Sequence, residues 1–504
     1  MTADSRTPVL VGVGQVSERL GSPGYRARSP VDLAADAARE ALADAGVPAT
    51  AIDTVAGVPQ FEISLPWVKP LLGCSDNFPR SVAGRLGASP RRAVLEVGGG
   101  QAPQHLVNEF AASIAAGHGD VVLLAGSEAI STIMSLATAE PRPDFGDSPG
   151  GSLEARGHGL DGIVSAHHVA HGLSDTPSQY ALIDNARRAR LKMSRAEYAA
   201  AIGELFEPFT AVAAADPHAA APVFRDAAAL VTPSPANRPI ADPYTRYVVA
   251  REKVNQGAAV LLMSAGAARR HGVPEDRWVY LAGHADLRER ILLERPDYGA
   301  SPAAVGAARH ALELAGIEAS ALSTLDLYSC YAAPVFIVAS ALGVAPDDPR
   351  GLTVTGGLPF FGGPGNNYSM HAIATTVARL RSAPGTYGFV GANGGIMSKH
   401  STGVYTTVPY AFKASESARI QAGLDAAPAP AEAITADGPA VIETYTVKHR
   451  RDGSREGIVL GRLEEDGRRF VARAGAVLDL LTDGEPIGGR VTVSATDSGN
   501  VISG

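Results

Sequence analysis

The residues Gly98-Gly99-Gly100 stand between an apolar run containing Val94-Leu95 and a helical pattern that opens at Gln101-Ala102-Pro103. A buried strand that enters a helix through such a turn leaves several backbone N–H groups unpaired and aimed outward, with the helix dipole behind them. That arrangement favours a developing negative charge. The turn carries Gly, Gly, Gly, Gln, Ala and Pro, none of which attacks a carbonyl, so it has the layout of an acyl-enzyme site with no Cys or Ser to hold the acyl group. A second glycine turn, Gly394-Gly395, precedes Ser398-Lys399-His400-Ser401. An imidazole of tuned pKa suits removal of an α-proton, and neighbouring strand residues face opposite ways, so only one of Lys399 and His400 points into a shared cleft. The plain alternatives are a surface His400 and glycines that serve only as tight turns.

Such turns need rigid elements behind them, and the chain supplies these twice. Residues 29–47 and 301–317 each open with Ser-Pro, carry apolar residues at helical spacing, and stop at Gly46 or Gly316; a short connection and a strand pattern follow each. The echo predicts two related halves, each a mixed sheet flanked by helices. From residue 440 the pattern changes to apolar–polar alternation around Asp452-Gly453 and Asp466-Gly467, which are hairpin signals. A small antiparallel OB-like β domain at 440–504 is expected, burying alternate residues such as Val441, Val447, Ile458 and Phe470. The Ala- and Pro-rich stretch 413–439 before it reads as a linker.

The run Gly117, Asp120-Val121 and Gly126-Ser127-Glu128 resembles the thiolase superfamily, whose pattern there is G-x-x-D-V-x-x-x-x-G-x-E. With the extra C-terminal domain, the layout resembles the thiolase-like protein type 1 group, relatives of the sterol-carrier-protein thiolases. The resemblance implies an α/β fold of duplicated βαβαβαββ halves in five layers (αβαβα). The halves would occupy 1–264 and 265–412, with a loop domain at about 131–245 that covers the active site and holds much of the CoA.

The catalytic positions are where this chain departs from the family. Counting along the motifs puts the family's nucleophilic Cys at Gly100, its catalytic His at Gly363 and its proton-shuttling Cys at Ala392. Loss of all three side chains removes thiolase-type Claisen chemistry through an acyl-cysteine. Backbone donors at Gly99, Gly100, Gly394 and Gly395 are left to hold a carbonyl or enolate oxygen. Tyr328, in Leu327-Tyr328-Ser329-Cys330-Tyr331, takes the place of an Asn or His, and the resemblance to lyases that use tyrosines in retro-aldol cleavage makes it, with His400, a candidate acid/base. Its alternative is a hydrogen-bonded core aromatic. His371 is expected to pack inside a helix that Asn366 and Asn367 cap.

With 504 residues the chain exceeds one core. Its net charge of −8 and scattered Lys and Arg give no footprint for nucleic acid, which is not expected as a partner. Only Cys74 and Cys330 occur, so neither a disulfide scaffold nor a zinc cluster is expected. His167, His168 and His171 lack a carboxylate or Cys nearby in sequence and read as a polar stretch of the loop domain, so no metal is assigned. The chain enters a strand directly and has no run of ~20 apolar residues, which predicts a cytoplasmic protein. Dinucleotide, P-loop and zinc-protease motifs are absent.

The resemblance therefore implies an atypical acyltransferase, acetyl-CoA acetyltransferase-like, with a CoA thioester as substrate or ligand and no permanently bound cofactor. The rivals are a retro-aldol lyase acting on a β-hydroxyacyl-CoA and a non-catalytic acyl-CoA or lipid-binding protein. Both a monomer and a dimer are compatible with the sequence.

Overall fold

The structure is a computed structural model that describes residues 4–503 except 161, 162 and 164; the outermost domain-boundary residues, 1 and 504, lie outside them. The first half runs strand Pro8–Ser17, helix Pro30–Ala45, strand Thr54–Gly57, helix Phe78–Leu86, strand Arg92–Leu95, helix Ala102–Ala115 and strand Val121–Glu128. Strand Gln256–Ser264 completes it after the loop domain. The second half repeats the plan from strand Val279–Arg288 to strand Lys399–Thr406 with one departure. Where a third strand is expected, Val354 N–H and Thr353 Oγ1 both donate to the buried Asp326 carboxylate, each at 3.0 Å, and the segment stays irregular.

The echoed helices form as the sequence predicts. Ser29 and Ser301 accept from the backbone N–H three residues on, Pro follows at the first helical position, and Gly46 and Gly316 close the ends in the left-handed conformation. Both helices lie directly on strand backbone. A Cβ at Gly14 would fall 2.1 Å from Ala37 O, and one at Gly283 would fall 1.9 Å from Ala311 O. Close helix-on-strand contact of this kind explains the abundance of Ala and Gly.

Pairs Val9↔Tyr280 and Leu10↔Val279 join the two halves into one ten-stranded sheet. Helices Ala102–Ala115 and Tyr368–Ser382 form the central layer, each tied to the other half. Tyr405 Oη donates to Gln104 Oε1 at 2.7 Å, and His371 Nδ1 lies 2.8 Å from Gln15 Oε1. Helices Pro30–Ala45 and Pro302–Ala315 pack on the outer faces, which gives the five layers.

The C-terminal domain is a closed barrel. Its strands Gly438–His449, Arg455–Leu463, Arg469–Arg473, Arg490–Thr496 and Gly499–Ser503 pair in the order second, third, fifth, fourth, first, and the first also pairs with the second. The Asp452-Gly453 and Asp466-Gly467 turns hold glycines at φ +85° and +74°. Val447, Ile458 and Phe470 are buried, but Val441 is only half-buried, because a bulge between Ile442 and Thr444 breaks the alternation.

The stretch 413–439 is not an extended linker throughout. Helix Ser417–Asp425 lies in it and seats Ile420 and Leu424 on Ala285, Leu287, Ala303 and Ala307. The barrel itself docks chiefly on the loop domain. The loop hairpin of strands Pro239–Ala241 and Tyr244–Thr245 extends the barrel sheet. Asn185 Nδ2 donates to Tyr445 O at 2.9 Å and Thr444 Oγ1 to Leu182 O at 2.6 Å. Among the described residues no helix is long and apolar enough to cross a membrane.

Candidate functional site

The Gly98–Gly100 turn, the Gly394-Gly395 turn and Tyr328 meet where the two halves face the loop domain, and the glycine-rich segment Gly356–Gly365 leads into Asn366 beside them. The turns are held from three sides. Gly99 N–H donates to Asn366 Oδ1 at 2.7 Å, Ser369 Oγ to Gly100 O at 2.6 Å, and Tyr180 Oη of the loop domain to Gly395 O at 3.1 Å. Lys399 Nζ donates to Gly98 O at 3.1 Å. Lys399 therefore faces the first turn while His400 faces the other way, as strand alternation requires.

Two side chains fill the space beside the glycine turns. A Cβ placed on Gly100 would lie 1.9 Å from Tyr328 Oη and 2.4 Å from its Cζ, so the tyrosine occupies the space a side chain at Gly100 would need. A Cβ on Gly394 would lie 1.8 Å from Gln101 Oε1, and one on Gly99 would lie 2.1 Å from the same atom. The Gln101 carboxamide is thus wedged between the two glycine turns, and its oxygen is buried without a donor among the described residues. Gly363 differs. A Cβ there would meet Leu358 Cδ2 no closer than 3.4 Å, an ordinary contact.

Tyr328 and His400 do share a cavity. It holds about 20 Å³, bounded also by Leu327, Ala392, Asn393 and Met397, room for about one water molecule. The Tyr328 ring meets Tyr368 edge-on at 5.5 Å, and burial followed by the neighbouring Cys330 raises its phenol well above the ordinary value. The Tyr328 hydroxyl makes no hydrogen bond among the described residues. His400 Nε2 lies 3.1 Å from Met397 O, and burial lowers the imidazole to about 4. The ring is therefore neutral at physiological pH and a weak base. Burial pushes the Cys330 thiol up to about 12, far from the thiolate that a nucleophile requires.

Several placements correct the sequence reading. The helix after the glycine run starts at Tyr368, and neither Asn caps it through a side chain. Asn366 instead ties three loops together, donating to Pro59 O at 2.8 Å and Ser64 Oγ at 2.7 Å besides accepting from Gly99. Of the predicted backbone donors, the Gly99 N–H is therefore already taken. His371 is fully buried inside its helix, where burial keeps it neutral. Tyr180, Gln101 and Asn393 were not singled out by sequence. Tyr180 Oη accepts from Asn393 Nδ2 at 2.9 Å and from Met397 N at 3.0 Å, and its place in an Ala- and Arg-rich helix gave no signal of this.

Among the described residues, one group of side chains lies close enough together to be weighed as a metal site. Glu96, His105 and Glu109 lie close together, but Arg156 sits among them, 2.5 Å from Glu96 and 2.6 Å from Glu109, so the group is an ion-pair network. Burial opposes the charged His105 ring, yet Asp286, Glu96 and Glu109 outweigh it and raise the group to about 9. His167 and His168 face Glu432 at 3.7 and 3.4 Å, and His171 is fixed by His167 O and Asn500 N, each at 2.8 Å. These histidines form a seam between loop domain and barrel.

Comparison with known proteins agrees with this architecture. Residues 419–498 match the family model of the thiolase-like protein type 1 additional C-terminal domain. A monomeric SCP2-thiolase-like protein type 1 from Mycobacterium smegmatis is 48% identical, with 99% of each chain covered and a TM-score of 0.86. More distant likenesses, which show the fold alone, include an Ltp2–ChsH2(DUF35) aldolase at 17% identity, covering 80% of this chain and 98% of that one with a TM-score of 0.59. Human mitochondrial 3-ketoacyl-CoA thiolase, also at 17%, covers 80% of this chain and 99% of its own with a TM-score of 0.55. A comparison with curated proteins finds no match. At 48% identity over 99% of both lengths, the chain belongs to the SCP2-thiolase-like protein type 1 family.

Proposed function

We propose that this chain is a cytoplasmic protein that binds an acyl-CoA thioester in the cleft under the loop domain and does not transfer the acyl group to itself. The observation that carries this reading is Tyr328 Oη, 1.9 Å from where a Gly100 Cβ would stand, which leaves no room for a nucleophilic side chain at that turn. The neutral, weakly basic His400 and the high-pKa Cys330 support it, because neither supplies a base or nucleophile near neutral pH. This reading favours the non-catalytic alternative over the acyltransferase that the resemblance implies. The test is thermal shift and calorimetry with short and long acyl-CoAs, followed by product analysis. Binding at a hundred times Kd should stabilise the fold by about 2.7 kcal/mol, and no free CoA should be released. No heat at millimolar ligand, or stoichiometric release of CoA, overturns the proposal.

A second reading is C–C cleavage of a β-hydroxyacyl-CoA. It is favoured by the Tyr328 hydroxyl, which has no partner among the described residues and borders the cavity that His400 also lines. The β-hydroxyl would lose its proton as the Cα–Cβ bond breaks, and the α-carbon of the shortened thioester would regain one. Formation of a shorter acyl-CoA plus a carbonyl compound, reduced by about 10²-fold in Tyr328→Phe, would establish this reading in place of the first.

A further inference from the structure

The barrel reaches the candidate cavity through two buried arginines in series. Arg469 points from the barrel into the second half. Its Nη1 donates to Leu293 O at 3.3 Å and to Arg295 O, and its Nη2 donates to Pro296 O at 3.1 Å. Its guanidinium lies over the Tyr298 ring at 4.3 Å, and Glu443 Oε2 of the barrel accepts from its Nε at 2.7 Å. The backbone held in this way carries Arg295, which is buried as well. Arg295 Nε donates to Arg290 O at 2.8 Å, and its Nη2 donates to Ile396 O at 2.5 Å and Met397 O at 3.2 Å. Among the described residues it hydrogen-bonds no carboxylate; burial opposes its charge and Glu289 supports it.

The two carbonyls that Arg295 holds belong to the turn that walls the cavity. Met397 sits there at φ +48°, a left-handed conformation that strains a residue with a side chain. Its peptide groups are held on both sides. The N–H donates to Tyr180 Oη at 3.0 Å, and the carbonyl accepts from Arg295 and also from His400 Nε2 at 3.1 Å. A carbonyl oxygen only accepts, so Nε2 carries the ring proton of His400. Ser301 Oγ agrees: it lies 3.3 Å from Nε2 and gives its own proton to Glu289 Oε2 at 3.1 Å, so it too accepts from the ring. Nδ1 keeps its lone pair and makes no hydrogen bond among the described residues, on a ring that borders the cavity with Tyr328. Burial, and then the Arg295 charge, keep that ring neutral against the pull of the Met397 hydrogen bond. A buried guanidinium committed to backbone carbonyls is costly to keep, and what it holds in place is the acceptor for His400.

We infer that Arg295 and Arg469 are positioning residues for the candidate site. Arg469 of the barrel holds the Leu293–Pro296 backbone, that backbone aims Arg295 at Met397 O, and the shared carbonyl fixes His400 as its Nε2–H tautomer with Nδ1 free to accept from a ligand. The barrel thereby braces the wall of the cavity besides docking on the loop domain, and a change at Arg469 is felt at an imidazole it does not touch. The fixing of the tautomer needs no ligand; only its effect on affinity rests on the thioester reading above.

The test is NMR of the imidazole nitrogens in the full chain with labelled histidine, the His400 signals being identified by their absence in His400→Gln. The proteins are the wild type, Arg469→Gln, Arg469→Lys, Arg295→Gln and, as a control that loosens the barrel at a different contact, Arg188→Met. Expected are a single neutral Nε2–H tautomer in the wild type at neutral pH and a mixture of tautomers in Arg469→Gln and Arg295→Gln. Arg469→Lys, which keeps the charge but not the donor fork, should return part of the way to the wild-type signals, and Arg188→Met should show them unchanged. Affinity for acetyl-CoA, by calorimetry, should fall about fivefold or more in the two Gln variants. A wild-type His400 that is charged at neutral pH, or that carries its proton on Nδ1, overturns the inference even if no variant folds. Wild-type signals in Arg469→Gln, or equal changes in Arg188→Met, overturn it too. Tautomer changes as expected, with no acetyl-CoA bound by any protein, uphold the positioning and sink the thioester reading. Acetyl-CoA bound equally by all the proteins, with His400 unchanged, overturns the positioning and leaves the thioester reading standing.

Discussion

Tyr328 Oη stands 1.9 Å from the position a Cβ on Gly100 would take, and the Asn393 carbonyl oxygen is 2.6 Å from the same point. Tyrosine and glycine are therefore complementary in volume, and neither can change alone without cost. Gly100→Ala should destabilise the protein by about 1–3 kcal/mol through overpacking, and a double-mutant cycle with Tyr328→Ala should show coupling of about 1 kcal/mol or more. Urea unfolding measures both. Gly363→Ala, with 3.4 Å to its nearest neighbour, is the control and should cost far less. Equal costs at the two glycines would refute the packing relation.

The two thiols should be inert in the native state. Cys330 is buried with its pKa pushed up to about 12, and half-buried Cys74 is raised by burial and then by Glu62 and Asp76. Iodoacetamide at pH 7.5 should modify neither rapidly, and Cys330 should react only on unfolding. Mass spectrometry of protein mixed with acyl-CoA should show no added acyl mass. A thioester on Cys330 would contradict the site geometry.

Stability should fall as pH rises from about 4.5 to about 8, in part through Glu128. Burial raises this carboxyl to about 8; the hydrogen bond from Phe61 N–H opposes the rise, and Glu62 and Glu252 add to it. The folded state thus holds a proton that the unfolded chain, with an ordinary carboxyl near 4.5, gives up. Its contribution is complete below about pH 4.5 and is lost progressively up to about pH 8, with a slope of up to about 1.4 kcal/mol per pH unit. Glu128→Gln removes that slope, so the difference in melting temperature should move in the variant's favour between pH 5 and pH 8. Parallel pH profiles for the two proteins would rule this out.

Arg188 should contribute measurably to the seam between loop domain and barrel. Its side chain is 1% exposed and reaches Glu485 Oε1 at 3.0 Å, Met193 O at 3.0 Å and Asn185 Oδ1 at 3.3 Å. Arg188→Met leaves the Met193 carbonyl without that donor and severs the link to Glu485, and should cost about 2–3 kcal/mol. Glu485 is 48% exposed, so Glu485→Gln should cost under about 1 kcal/mol. Chemical denaturation gives both values. Faster proteolysis within residues 413–439 in Arg188→Met, and not in Glu485→Gln, would locate the loss at the seam.

The sequence by itself determined the duplicated helices, the barrel hairpins and a glycine turn that carries no Cys or Ser. Those features are local: Ser-Pro starts, Gly ends, Asp-Gly turns and the Gly98–Gly100 run are written within a few residues of where they act. Tertiary structure alone decided what fills the space beside Gly100. Gly100 and Tyr328 are over two hundred positions apart, and no periodicity reports that one side chain occupies the other's volume. Asn366 was legible as a helix cap, but a carboxamide takes whichever partners the packed chain brings to it, and here those are the Gly99 N–H and the loop at Pro59 and Ser64. The same holds for Gln101 and for the Tyr180 clamp on the Gly394-Gly395 turn. Their roles depend on burial and on counter-charges contributed or withheld by distant segments, quantities that exist only once the chain has folded.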